Sequence, residues 1–273
     1  MAHPEIGVPL AAPARARPAE GDPTTCAMVD AAVAEGRVRL AFQPVVATGP
    51  TGSPAFYEGL VRIVDHDGRA IPASAFIGAI EATELGRRLD VLALRQGFAA
   101  LRERPRLRLS VNLSPLTIGH PAWMAELEHG VARDPTAAER LILEITERSA
   151  ITMPARMRAF IARLHRLGVA FAVDDFGAGC TAMRHLREFR FDILKIDGAI
   201  CADVAGNADN RALVMAIVSI ARHFEMMTVA ERIERPEDAE VLTAIGVDCL
   251  QGYLFAAPTL RPDWRDCDLR RSA

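Results

Sequence analysis

Charged and amide side chains that could take part in metal or phosphate chemistry recur along the sequence, most of them at the end of a short apolar run. They are Glu58, Arg62, Asn112, Glu144, Glu147, Asp174, Asp175, Lys195, Asp197, Glu231, Glu234 and Gln251. Any one of these acids alone is more often a solvated strand end or a helix N-cap. Carboxylates that converge on one place repel one another unless cations lie between them, so a set of this size indicates a metal site.

The ligand types in this set favour a hard cation. Carboxylate and amide oxygens without histidine or cysteine suit Mg²⁺ or Mn²⁺ and are poor ligands for zinc or copper. The adjacent Asp174 and Asp175 could bridge two ions roughly 3.5–4 Å apart, as in two-metal sites that cleave phosphate esters by in-line displacement. We therefore predict a site with two ions, and phosphodiester hydrolysis as its reaction.

Lys195 is the only lysine among 32 basic residues, and the other 31 are arginine. One interpretation is an arginine-rich coding bias. The other is that Lys195 has a task for which a guanidinium is unsuited, because an ammonium is a compact charge whose pKa its surroundings can shift. The sequence leaves both interpretations open.

Eight apolar runs typical of β-strands lie between residues 39 and 251. They cover residues 39–46, 55–64, 106–113, 140–146, 169–174, 191–196, 227–231 and 247–251. The link between the first two, residues 47–54, is too short for a parallel crossover and predicts an antiparallel hairpin. The predicted fold class is α/β, a (β/α)8 TIM-type barrel with an antiparallel first strand. In such barrels the active site lies at the carboxyl ends of the strands, where the polar set falls.

Helical patterns separate the later strands. They cover residues 73–84, continuing past Gly86 into 87–104, and then 121–133, 154–167, 181–187, 208–224 and 236–245. Several begin with proline, whose missing N–H costs nothing in the first turn, and Gly168 and Gly246 stand where a left-handed helix end is expected.

The chain divides into three predicted segments. Residues 1–25, with four prolines in the first eighteen positions, predict a flexible tail, residues 26–262 the barrel domain, and residues 263–273 a C-terminal tail. A net charge of −3 attracts neither a nucleic acid polymer nor an anionic membrane. Five cysteines without a CxxC spacing indicate reduced thiols and a cytoplasmic location. No apolar segment is long enough for membrane insertion.

Eight short motifs occur in order between residues 38 and 258. They are FQPVV (42–46), EGLVR (58–62), VNLS (111–114), EITE (144–147), DDFG (174–177), KID (195–197), AERIE (230–234) and QGY (251–253). In content and order this set resembles the signature of the EAL domain family, whose members are bacterial signalling enzymes. The resemblance implies metal-dependent hydrolysis of cyclic di-GMP to linear pGpG, which lowers the level of this second messenger.

The resemblance also implies a role for each matching residue. Glu58, Asn112, Glu144 and Asp174 would hold one ion, and Asp174, Asp175 and Glu231 a second. Lys195 would hold the attacking water, and Glu231 would be the general base. Glu147 would brace the loop after the DDFG strand, and Glu234 would support the site. The implied substrate-binding residues are Arg62, Gln251 and Leu60.

Four positions depart from the family pattern. The loop that usually reads GTGYSS is GAGCTA at residues 177–182, and Gly59 replaces the alanine of EAL. Gly198–Ile200 replaces a polar-aromatic stretch, and Arg232 replaces a glycine. A guanidinium at position 232 could pair with Glu231 and turn it away from the site.

Two alternative functions and the source of regulation remain open at this point. The domain could be a weak or inactive EAL domain that acts as a cyclic di-GMP receptor or protein-interaction module. Residues 177–182 also fit GxGxxA, a dinucleotide-binding pattern, but Asp174 and Asp175 would face the pyrophosphate. Regulation could come from a homodimer or from a separate regulatory protein.

Overall fold

The structure is a computed structural model that describes residues 19–49, 52–147, 154–178 and 183–264. Most of the predicted N-terminal tail and most of the predicted C-terminal tail lie outside these residues, as does the 179–182 part of the GAGCTA loop. The first helix begins at Pro23, within the segment predicted as a tail. At the other end, Trp264 packs against Phe42 and Tyr57 with ring centroids 5.1 and 5.0 Å apart.

In the described residues nine strands form one sheet, and eight of them close into a barrel. Their bounds are β1 Val38–Ala47, β2 Pro54–Val64, β3 Ala70–Pro72, β4 Leu109–Asn112, β5 Leu141–Thr146, β6 Ala170–Phe176, β7 Ile193–Ile196, β8 Met227–Ala230 and β9 Cys249–Leu250. The order is β1-β9-β8-β7-β6-β5-β4-β2-β3, and pairing of β1 with β2 closes an eight-stranded barrel that leaves β3 outside. Strand β1 is antiparallel to both of its neighbours, β2 and β9. This confirms the predicted barrel with an antiparallel first strand.

The helices surround the barrel. Their bounds are α1 Pro23–Ala34, α2 Ile77–Ile80, α3 Glu84–Glu103, α4 Pro121–Arg133, α5 Pro154–His165, α6 Met183–Phe189, α7 Gly198–Cys201, α8 Ala208–His223 and α9 Pro236–Ile245. Gly168 and Gly246 have φ of +89° and +96° and end their helices in the left-handed conformation that the sequence predicts. None of the helices in the described ranges is long and apolar enough to cross a bilayer.

Two helix predictions were wrong. The predicted helix from residue 73 into residue 104 is broken, because Thr83 is extended with ψ of 171° and α3 starts anew after it. A methyl group at Gly86 would lie 2.6 Å from the carbonyl oxygen of Ile80, so only glycine lets α3 approach the end of α2 this closely. Helix α1 was missed, because its residues 26–34 are almost uniformly small and apolar and show no helical period.

The barrel interior is filled by one apolar layer. Its buried members come from seven strands and are Val45, Phe56, Ile142, Ala172, Ile193, Val229 and Cys249. A larger core lies between the sheet and the outer helices and includes Leu94, Trp123 and Phe171. Because the interior is packed, the polar residues of the strands can meet only above this layer, at the mouth formed by the strand ends.

Candidate active site

The candidate residues lie directly above the apolar interior layer. Residues two positions apart on a strand point to the same face, and each strand that runs toward the mouth carries a polar residue two positions after an interior one. These polar residues are Glu58, Asn112, Glu144, Asp174, Lys195, Glu231 and Gln251. Since these seven strands are parallel, their side chains converge at one mouth.

Lys195 lies at the centre of this group. Its ammonium nitrogen Nζ is 2.6 Å from Oε2 of Glu144, 2.7 Å from Oε1 of Glu231, 3.2 Å from Oδ1 of Asp174 and 3.3 Å from Oε2 of Glu58. The residue is 1% exposed. One buried positive charge is therefore shared by four carboxyl groups, and this small tetrahedral donor fits a place where a planar guanidinium would not.

The charge balance of the site perturbs its protonation. Burial lowers the pKa of Lys195, but Asp174, Glu144, Glu231 and Glu58 together act in the opposite direction and hold it well above its ordinary value. Burial raises the pKa of Glu231 to about 8, against the opposing effect of Lys195. Burial and the charge of Glu58 raise the pKa of Glu144 well above its usual range. Glu231 and Glu144 therefore retain protons near neutral pH unless further positive charge enters the site.

Three of the acids could together bind a cation. One carboxylate oxygen from each of Asp174, Asp175 and Glu231 lies within 4.8 Å of the others. Oε1 of Glu144 is buried without a hydrogen-bond partner, and Oδ1 of Asp174 has only its ion pair with Lys195. Unpaired buried oxygens are costly. An all-oxygen donor set of this kind fits a divalent hard cation.

Amide side chains orient Glu58. Its Oε1 accepts a hydrogen bond of 2.9 Å from Nδ2 of Asn112, and its Oε2 accepts one of 2.7 Å from Nε2 of Gln251. Nε2 of Gln251 also donates to Oε1 of Gln43 at 3.1 Å, and Nε2 of Gln43 donates in turn to the carbonyl of Ala256 at 3.0 Å. These amides orient the carboxylate of Glu58, whose Oε2 also lies 3.3 Å from Nζ of Lys195.

The loop after β6 is tied to β5. Oε2 of Glu147 accepts a hydrogen bond of 3.3 Å from the backbone N–H of Gly177. Asp175, near the end of β6 and two residues before Gly177, has φ of +53°, a left-handed conformation that aspartate tolerates better than most residues. Burial and the charges of Asp174 and Asp197 raise the pKa of Asp175, whereas Arg232 and Lys195 act to lower it.

The loop after β8 is held by the segment after β9. The N–H of Ile233 donates to the carbonyl of Gln251 at 3.0 Å, and its carbonyl accepts from the N–H of Leu254 at 3.0 Å. A methyl group at Gly252 would lie closer than 3.0 Å to backbone atoms of Ile233. The glycine of the QGY motif is thus required by the close approach of the loop that carries Glu231 and Arg232.

The structure brings most of the predicted site residues together. Arg62 and Leu60 follow Glu58 on the same face of β2, each half-buried, and Nη1 of Arg62 donates to the carbonyl of Val61. Glu234 is exposed and stands apart, without a hydrogen bond or ion pair to any described residue.

The pairing of Arg232 with Glu231, considered from the sequence, is not made. Oε1 of Glu231 pairs with Lys195. Arg232 is exposed and forms no ion pair within the described ranges. The charge of Arg232 acts instead to lower the pKa of Asp175.

Two contributors were missed by the sequence reasoning. Gln43 belongs to the FQPVV motif, but β1 is antiparallel, so its site residue precedes the interior residue Val45 instead of following it. Asp90 on α3 accepts hydrogen bonds from the backbone N–H and the hydroxyl of Ser114 and so anchors the loop after Asn112. Burial raises the pKa of Asp90, against the opposing effect of these hydrogen bonds.

Comparison with known proteins identifies one family. The EAL domain profile matches residues 27–258. The cyclic di-GMP phosphodiesterase PdeB of Shewanella oneidensis is 31% identical over 231 residues, which are 83% of this chain and 27% of PdeB. The cyclic di-GMP phosphodiesterase PdeF of Escherichia coli is 29% identical over 223 residues, 80% of this chain and 30% of PdeF. The chain thus spans about a third or less of the length of these curated relatives.

Solved structures share the fold. The phosphodiesterase PaMucR in complex with c-di-GMP superposes with a TM-score of 0.76 at 28% identity, covering 86% of this chain and 97% of the chain in that structure. The FimX EAL domain of Pseudomonas aeruginosa bound to c-di-GMP has a TM-score of 0.79 at 21% identity, covering 88% of this chain and 98% of that one. The second likeness supports the fold alone.

Proposed function

Because the chain belongs to the EAL domain family, we propose that it hydrolyses cyclic di-GMP to linear pGpG at the mouth of its barrel. One observation carries the proposal: four carboxyl groups, two buried and two half-buried, converge on the buried Lys195 at the strand ends, beside an all-oxygen cluster that fits a divalent cation. Such an excess of acids is unfavourable in a packed barrel unless cations complete it. The names of the relatives supply the substrate.

Two ions, Mg²⁺ or Mn²⁺, fit the available ligands. We infer that Glu58, Asn112, Glu144 and Asp174 hold one ion and that Asp174, Asp175 and Glu231 hold the other. When bound, such ions neutralise charge on phosphate oxygens and lower the pKa of water. The hydrogen bonds from Asn112 and Gln251 keep Glu58 oriented for this purpose.

The remaining chemistry belongs to the side chains of the chain itself. The oxygen of a water forms a bond to one phosphorus, the bond from that phosphorus to a ribose 3′ oxygen breaks, and the leaving oxygen takes a proton from solvent. Lys195 positions the water as a compact donor, and Glu231, 2.7 Å from Lys195, accepts the proton that the water loses. The product is a linear dinucleotide with a 5′ phosphate.

The substrate would lie across the mouth against β2. Arg62 would meet a phosphate there, since a guanidinium offers paired donors to phosphate oxygens. Leu60 supplies an apolar contact on the same face, and Gln251 borders the pocket from β9. Glu147 braces the loop after β6 through the N–H of Gly177. For Glu234, which forms no hydrogen bond or ion pair with a described residue, the proposed supporting role rests on the family motif alone.

The test is direct incubation of the purified chain with cyclic di-GMP, followed by chromatography for pGpG. Mn²⁺ or Mg²⁺ should support product formation. Ca²⁺, which is larger and tolerates irregular coordination, should bind without turnover. Full activity after exhaustive chelation would contradict the metal assignment. Binding without product under all metals would instead identify a receptor.

We also propose a cytoplasmic location and a homodimer or a separate regulatory protein as the source of control. Within the described ranges Cys26, Cys201 and Cys249 are free thiols, which supports a reducing compartment. Light scattering of the purified chain tests the dimer, since a monomer at all concentrations would remove that proposal.

A further inference from the structure

The side chain of Arg232 extends from the end of β8 over the end of the neighbouring strand β7. Arg232 stands two residues after β8, its aliphatic stem lies over Gly198 just beyond β7, and its charge acts on Asp175 at the end of β6. The strands follow one another in the sheet as β8, β7 and β6. The stem of Arg232 therefore leads from β8 toward β7, along the rim on which the acidic cluster lies.

The path of this side chain is fixed by its surroundings. A methyl group added at Gly198 would lie closer than 3.0 Å to Cβ, Cγ and Cδ of Arg232, so glycine at 198 leaves the space that the arginine stem fills. Arg232 has φ of +56°, a left-handed conformation that arginine rarely adopts. The two hydrogen bonds of the next residue, Ile233, hold the backbone in place. Strain of this kind persists where the surroundings over-determine it and often marks function.

The charge on Arg232 has no partner of its own within the described part of the chain. The side chain is exposed and forms no ion pair there, while Asp174 and Glu231 are both taken by Lys195. A fixed, unpaired guanidinium beside an acidic cluster attracts an anion with planar oxygen pairs, and phosphate matches that geometry.

We propose that Arg232 is a phosphate-binding residue that positions the phosphodiester ligand beside Asp175, and that Gly198 makes this position possible. The identity of the ligand rests on the proposed function. Arg62 on β2 lies three strands away around the barrel, past β1 and β9. The two arginines therefore approach the mouth from different sides, and a ligand with two phosphates can meet both.

Binding of cyclic di-GMP in Ca²⁺, measured by calorimetry, tests this role. Arg232→Gln should weaken the Kd at least tenfold, as expected for a lost charge-assisted hydrogen bond. Arg232→Lys should recover part of the loss. Arg190→Gln is the matched control: Arg190 is also exposed, with φ of +51°, but precedes β7 at the opposite end of the barrel. The thermal shift produced by Mn²⁺ should change far less than the Kd in Arg232→Gln, because Arg232 is not a ligand of the ions.

An unchanged Kd in Arg232→Gln would overturn the proposal, and so would an equal loss in Arg190→Gln. A changed Mn²⁺ shift with an unchanged Kd would assign Arg232 to metal tuning, which also overturns it. Formation of pGpG by the wild type is measured in parallel. If the wild type forms pGpG while Arg232→Gln binds normally, the proposed function stands and this inference fails.

A double variant tests whether Gly198 acts by leaving room for the side chain of Arg232. Gly198→Ala alone should weaken binding, because the methyl group displaces the arginine stem. In the Arg232→Gly background the same substitution should have no further effect on the Kd, since no stem is left to displace. Additive losses in the double variant would show that Gly198 acts independently of Arg232 and would overturn the pairing.

Discussion

Replacement of Lys195 by methionine should destabilise the metal-free protein strongly, and the size of the effect follows from the geometry. The ammonium lies within 3.3 Å of oxygens from four carboxyl groups and is 1% exposed. Removing one partner of a buried ion pair costs about 3–5 kcal/mol. For a domain of this size each kcal/mol lowers Tm by roughly 2–4 °C, so we expect a loss of about 6–20 °C.

The loss should depend on pH in a definite direction. Burial raises the pKa of Glu231 to about 8 and that of Glu144 well above its usual range, so at pH 5 both carboxyl groups of the Lys195→Met variant hold protons and the Tm difference from the wild type should be small. At pH 8 more of them ionise without a counter-charge, and the difference should reach its full size. Added Mn²⁺ should reduce the difference, because a divalent cation replaces the missing charge.

Thermal unfolding by circular dichroism, with chelator or with Mn²⁺, measures these effects. Arg88→Met is the control, since Arg88 pairs with Asp30 on the exposed surface and is 47% exposed. An exposed pair contributes about 0–1 kcal/mol, so its Tm shift should stay below about 4 °C. A Lys195→Met variant as stable as the wild type at pH 8 without metal would refute the reasoning.

Three further predictions follow from the site. Lys195→Arg should abolish hydrolysis although the positive charge is kept, because the bulkier guanidinium displaces the attacking water by an ångström or so. An active variant would favour the interpretation that the single lysine reflects coding bias. Metal binding at pH 6.5 should release protons, because the pKa of Glu231 is raised to about 8 in the metal-free site; calorimetry in buffers of different ionisation enthalpy measures this release. Because this folded-state pKa lies above the usual 4.5, the stability of the metal-free protein should fall as the pH rises from about 4.5 to 8. A stability that rises over this range would contradict the assignment. Gly252→Ala should lower both stability and pGpG formation by pushing Ile233 and its loop away; an active, equally stable variant would show that the loop can move.

The sequence was informative wherever a parallel strand ended. Interior residues such as Ile142 and Ala172 are followed two positions later by Glu144 and Asp174, so strand periodicity alone aligns the polar residues on one side. The barrel and its antiparallel first strand followed from the eight apolar runs and one short link. These features depend on local patterns, which a sequence displays directly.

Features that depend on contacts between distant segments were not predictable in this way. Gln43 reaches the mouth from a strand that runs in reverse, so the rule of strand carboxyl ends excludes it. The fit of Arg232 over Gly198 joins two loops that are far apart in sequence. The sharing of Lys195 among four carboxyl groups likewise requires the closed barrel. Only the folded chain brings these groups together.

The central claim is that the acids at the mouth of the barrel carry out hydrolysis, and Asp174→Asn tests it most directly. The substitution exchanges one oxygen for an NH₂ group of similar size, while Asp174 is the acid assigned to both ions. Cyclic di-GMP should still bind in Ca²⁺, but pGpG formation with Mn²⁺ should be abolished. Near-normal turnover by Asp174→Asn would contradict the assignment of the whole acidic cluster.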